Sequence, residues 1–168
     1  MSEGTAVPAV RRWAVTEMQA LTGAGEEFEG VRVQYSPILN LNEALADDGD
    51  IAAVYWDRWR TSIEPRAFKG TQHIKYREEA TADLIIVVAA READQTYEDV
   101  DQRAAELVGG VVKVFQSAQP TSPGAHLPNI TAYVSSIEAD PGILQSAGVG
   151  VYAVTLRVEV TIQASVEQ

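Results

Sequence analysis

The chain has 168 residues, 46% of them hydrophobic and 22% charged, with 13 Lys and Arg against 24 Asp and Glu and no cysteine. A globule of this length has a radius of gyration of ~15 Å and buries about 70% of its unfolded surface, enough for one domain over residues 1–168 with its own core, which excludes disorder as the whole answer. The missing cysteine excludes disulfides, thiolate zinc sites, iron-sulfur clusters and a cysteine nucleophile, and the net charge of -11 argues against a surface that grips nucleic acid or an anionic membrane throughout.

Met1 to Gly25 carries Arg11 and Arg12 in its middle with no apolar run of signal-peptide length after them. The longest apolar stretch, Leu84 to Ala90, is seven residues, against the ~20 a bilayer needs. The expectation is a protein made in a cytoplasm, with no membrane partner. Val7, Val10, Ala14, Met18 and Leu21 recur at three- and four-residue spacing and predict a helix, with Pro8 in its first turn and Thr22-Gly23-Ala24-Gly25 ending it.

Val31, Val33 and Tyr35 alternate with Arg32 and Gln34, which predicts a strand closed by Pro37; Ile51 to Arg60 reads as a second. Between them Asp47-Asp48-Gly49-Asp50 has the wrong spacing for an EF-hand and reads as a solvated turn. Thr71 to Glu79 alternates as a strand with one polar face, and Leu84 to Ala90, branched and apolar on both faces, is the expected middle of the sheet.

Thr96 with Asp99 starts the next helix as a capping box, and Glu98, Asp99 and Asp101 suit its N-terminal dipole. Tyr97, Val100, Ala104, Leu107, Val111, Val114 and Phe115 form its apolar stripe, with Asp99 and Arg103 expected to pair one turn apart. Gly109-Gly110 costs the helix roughly 2 kcal/mol relative to alanine, so a close approach by another backbone is expected there. Gln119 to Pro128 is a proline-rich loop; Ile130 to Ile137 and Val149 to Ile162 are the last strands, turning through Asp140-Pro141-Gly142. The expected fold is α+β: a mostly antiparallel sheet with a long amphipathic helix and an N-terminal helix packed on one face.

No hydrolase elbow, zinc-protease helix, Walker lysine or dinucleotide fingerprint is present. His73 and His126 stand alone among cations and prolines, and carboxylate pairs such as Glu78-Glu79 arise by chance in a chain with 24 acids. No catalytic residue, cofactor or metal site is therefore expected. Charge is uneven: Arg58, Arg60, Arg66, Lys69, Lys75 and Arg77 stand with one acid, Glu64, a local +5 that leaves -16 elsewhere. Tyr55, Trp56, Trp59, Phe68 and Tyr76 share that stretch. Tyr55, Trp56, Arg58, Trp59, Arg60, Phe68, Lys69 and Arg77 are the candidate interface residues, since aromatic and Arg side chains anchor protein contacts. Nucleic acid competes for such a patch but is disfavoured by the acidic remainder.

The N-terminal helix with a strand beginning near Val31, the strand Thr81 to Arg91 leading through Asp94-Gln95-Thr96-Tyr97-Glu98-Asp99 into an amphipathic helix, then Ile130 to Glu138 and Tyr152 to Ile162, resemble tail terminator proteins of long-tailed, siphovirus-type bacteriophages. Tyr55 to Lys69 is longer than that pattern and reads as an elaboration. The resemblance implies a virion protein, not an enzyme, assembled in the host cytoplasm. It implies a homo-oligomeric ring, a hexamer, that ends growth of the tail tube, contacts tube protein and head-side connector proteins, and lets DNA pass without specific binding. An acidic chain suits such a bore, because it repels phosphate. A head-tail connector or stopper of the neck shares this size and order; a small α+β enzyme or ligand-binding domain is the alternative from another class.

Overall fold

The run Leu84 to Ala90 is buried at every residue in the computed structural model, as branched side chains on both faces of a strand require. The structure describes residues 5–38, 52–66, 75–90, 96–117, 130–146 and 149–167. Over these the chain runs α1 (Val7–Gln19), β1 (Val31–Gln34), β2 (Ala52–Arg66), β3 (Lys75–Ala89), α2 (Tyr97–Ser117), β4 (Ile130–Ser146) and β5 (Val149–Glu167). The strands form one five-stranded sheet in the order β1-β2-β3-β5-β4, antiparallel at every pair but the parallel β1–β2. The fold is α+β, with β3 at its centre.

The N-cap residue of α1, Ala6, has no side-chain acceptor; Thr5 Oγ1 accepts the Val7 N–H at 3.1 Å, and Glu78 of β3 does the rest. The buried Glu78 carboxylate accepts the Ala6 N–H at 2.8 Å and the Thr61 hydroxyl at 2.7 Å, and also the hydroxyl of Thr5. A carboxylate here satisfies donors that the first helical turn leaves free and faces the positive end of the helix. Glu79 points to the opposite, exposed face, so the Glu78-Glu79 pair is no acid-base couple. α1 stops at Gln19 with Ala20 still in right-handed geometry; the left-handed glycines are Gly25 (φ 80°) and Gly30 (φ 69°), in the turns that follow. The expected glycine stop is thus displaced into the connection to β1.

Two segments expected to be separate strands fuse. β3 runs unbroken from Lys75 to Ala89, because Ala80-Thr81-Ala82-Asp83 holds no glycine, proline or asparagine to turn the chain. β2 likewise continues past Arg60 to Arg66. Asp140-Pro141-Gly142 is strand and not turn: these residues pair with Thr155, Val154 and Ala153, and β4 goes on to Ser146. An edge strand tolerates Pro141, which has no N–H to give, and β4 is an edge. At ~3.3 Å per residue, the 19-residue β5 is roughly 60 Å long, whereas the 21-residue α2 is roughly 30 Å at 1.5 Å per residue. The strands therefore outrun the helices, and Arg58 to Pro65 and Ser135 to Ile143 are exposed.

α2 opens on the expected capping box. The Thr96 N–H and hydroxyl both donate to Asp99 Oδ2 at 2.9 Å, and the Asp99 N–H donates back to Thr96 Oγ1 at 3.3 Å. Val100, Ala104, Leu107, Val111, Val114 and Phe115 are buried, but Tyr97 is exposed and meets Tyr152 edge to face at 6.2 Å. Asp99 is committed to the cap, so Arg103 turns to Glu106 (3.4 Å) and to the Glu29 carbonyl (3.0 Å). Gly110 is needed for a side chain and not for a backbone: a Cβ there would meet the buried Phe28 ring at 3.2 Å, while one on exposed Gly109 would meet nothing.

A single core cluster joins Val10, Ala14 and Met18 of α1, Leu107 and Val111 of α2, Phe28, and alternate strand residues including Val54, Trp56, Leu84, Ile86, Leu156 and Val158. Ala53, Ile85, Val87, Ala89 and Ala153, on the opposite face of the same strands, are also buried.

Candidate functional site

The expected basic and aromatic patch is divided by the pleat and by one irregularity. Register shifts between Trp56 and Trp59 in β2, the mark of a bulge. Before it, Trp56 shares the core face with Val54; after it, Trp59 pairs with Ala82 and Ile63 with Glu78, both on that same face, while Arg60 pairs with Thr81 on the other. Trp59 and Arg60 thus leave the strand in opposite directions.

Trp56, expected at the interface, is instead a fully buried core residue. Its indole Nε1–H donates to the Arg11 carbonyl at 3.1 Å. The Arg11 guanidinium lies over the Tyr35 ring at 4.8 Å and the Trp56 ring at 5.5 Å, and donates to the Asp57 carbonyl at 3.2 Å. Burial pushes the Arg11 guanidinium below its ordinary pKa, against the opposing pull of Tyr35 and Asp57. Sequence reading gave Arg11 no such role, because its partners lie 24 to 46 residues away. Tyr55 is half-buried on the other face, where burial raises its phenol pKa.

Arg58 is exposed over most of its side chain, yet its Nε sits 2.9 Å from Asp83 Oδ2. Arg157 Nη1 meets the same oxygen at 2.7 Å and Asp57 Oδ2 at 3.3 Å. Two guanidinium groups and two carboxylates compensate one another across β2, β3 and β5, and the bonds to Asp83 are the main reason the Arg157 pKa is raised. Part of the local positive charge is therefore neutralised inside the sheet face. Arg60 is exposed; Arg77 lines a cleft of about 270 Å³ with Ser62, Glu64 and Glu79. Trp59 is 40% exposed and Ile63 53%. Phe68, Lys69, His73, His126, Asp47 to Asp50 and Gln119 to Pro128 lie outside the described residues.

A second surface, along β4, was missed. Tyr133, Ile137 and Ile143 are exposed there, with Tyr152 of β5 beside them. A groove of about 310 Å³ runs between α2 and β4, lined by Val112, Phe115, Tyr133, Val134 and Ile137 among others. Glu138 and Asp140 alternate with these apolar residues and share the face of Arg157 and Thr155. The signal was present as the alternation of residues 136–141, but Asp-Pro-Gly concealed it. Among the described residues no three metal-ligating side chains converge, and no helix is long and apolar enough to cross a membrane. Compared with known proteins, the chain matches no family model and no curated sequence.

Proposed function

We propose that this chain is a tail terminator: a structural virion protein that forms a hexameric ring on the end of a phage tail tube, stops its polymerisation and joins it to the head-side neck. The observation that carries the reading is the unequal character of the two sheet faces. Alternate strand residues, from Val54 and Trp56 to Leu156 and Val158, share one core cluster with residues of α1 and α2, which supports a reading with both helices on that face. The other face carries a buried apolar stretch, Ala53, Ile85, Val87 and Ala153, and alongside it Asp57, Glu64, Glu79, Asp83, Glu138, Asp140 and Glu159 among Arg58, Arg60, Arg77 and Arg157. In a ring, an acid-rich face turned to the bore repels phosphate and lets DNA slide. The exposed strand ends beyond the helices supply contacts to neighbours, tube protein and connector proteins. The reading assigns no catalytic residue and no cofactor.

The test is growth of the cognate tail tube, followed by light scattering, with this protein added below the concentration of tube subunits. Addition is expected to stop elongation at a scattering plateau below that of the untreated sample. Unchanged elongation, with binding only to head-side particles, would replace the terminator by a neck connector.

A further inference from the structure

Two edges of the sheet have no partner strand among the described residues. β4 ends the strand order, so no described strand lies on its outer side. On the opposite flank β1 pairs only with Ala52 to Tyr55, and β2 from Arg58 onward has β3 on one side and no strand on the other. Both stretches are exposed. An open edge presents unpaired N–H and C=O groups that a further strand can use.

Strand direction suits a second copy of this chain. β2 and β5 run one way, β3 and β4 the other. A copy related by rotation about an axis along the strands keeps these directions, so its β2 meets β4 antiparallel, the more stable pairing. Side chains match on both faces at once. With Arg60 opposite Glu138, Arg58 falls opposite Asp140 and Trp59 opposite the small Ala139, beside Ile137. Opposite charges then meet on one face and apolar groups on the other. Sliding the register by one residue sets the arginines against Ile137 and Ala139 and loses both matches.

Charge also selects the symmetry. Pairing β4 with β4 about a two-fold axis centred on Ala139 brings Glu138 against Asp140, and pairing β2 with β2 about one centred on Trp59 brings Arg58 against Arg60; like charges directly opposite repel. Only the head-to-tail arrangement joins unlike edges, and head-to-tail contacts make rings when the rotation closes.

We infer that copies of this chain assemble edge to edge, Arg58–Ser62 of one pairing antiparallel with Ser136–Asp140 of the next, so that one sheet runs on through the assembly. The inference deepens the ring reading by naming its subunit contact. Since the chain has no cysteine, Arg60→Cys and Glu138→Cys give unambiguous cross-links. Oxidising a mixture of the two single variants should give a disulfide dimer that neither variant gives alone. A dimer from either variant alone, or none from the mixture, overturns the pairing.

Charge reversal gives a second readout, in light scattering of concentrated protein. Arg60→Glu and Glu138→Arg should each weaken self-association about tenfold, and the two combined in one chain should restore it. Self-association unchanged by either reversal overturns the pairing. Cross-linking without any effect on tube growth would sink the terminator reading and leave this contact standing; arrested tube growth without cross-linking would do the reverse.

Discussion

Gly109 and Gly110 are neighbours in sequence with opposite surroundings, and a pair of alanine variants separates them. Gly109 is exposed with open space where a Cβ would stand, so Gly109→Ala should stabilise the protein by about 1 kcal/mol through helix propensity. At Gly110 the same methyl meets Phe28 at 3.2 Å, and that ring is fully buried with little room to yield. Gly110→Ala should therefore lose that gain and lower the thermal midpoint relative to Gly109→Ala; equal midpoints would show that Phe28 does not fill the space. The sequence announced that something exploited these glycines. It could not name Phe28, 82 positions away, or say that only one glycine was needed. Arg11 and Glu78 were hidden for the same reason, since each is held by partners far along the chain.

At the scale of elements, legibility followed the range of the interactions. The α2 start was readable because Thr96 and Asp99 are three residues apart and bond to each other through side chains and backbone. The central strand was readable because burial on both faces leaves no polar period. Strand ends were not: β2, β3 and β4 run on through residues that are turn-like or polar in isolation, carried by ladder pairing with the adjacent strand, as Arg66 is by Lys75 and Asp140 by Thr155. The α2 cap makes a pH prediction. The Thr96 backbone N–H, then its hydroxyl, hold the Asp99 carboxyl below its ordinary value of 3.8. A depressed carboxyl contributes stability that is fully present above 3.8 and is lost as pH falls through the lower folded value. Amide exchange in the first turn of α2 should therefore accelerate in acid relative to the rest of the helix, and Asp99→Asn should remove that pH dependence. A first turn that frays identically in both proteins would contradict the cap.

For the whole molecule, the basic segment changes meaning once it is folded. Trp56 belongs to the core, Arg58 is compensated by Asp83, and Trp59 and Arg60 emerge on opposite faces of one open strand. What remains is an edge whose two sides differ in chemistry, and the far edge of the same sheet, at β4, is its counterpart in charge and in apolar side chains. A molecule with two unlike, matching edges is suited to head-to-tail assembly, and an acid-rich face suits a bore through which DNA passes. The terminator account joins these two properties. Electron microscopy of cognate tail tubes mixed with this protein tests it most directly. The account predicts a ring-shaped cap at one end of each tube, with no decoration along the shaft. Bare ends on every tube, with the protein free in the background, would contradict it.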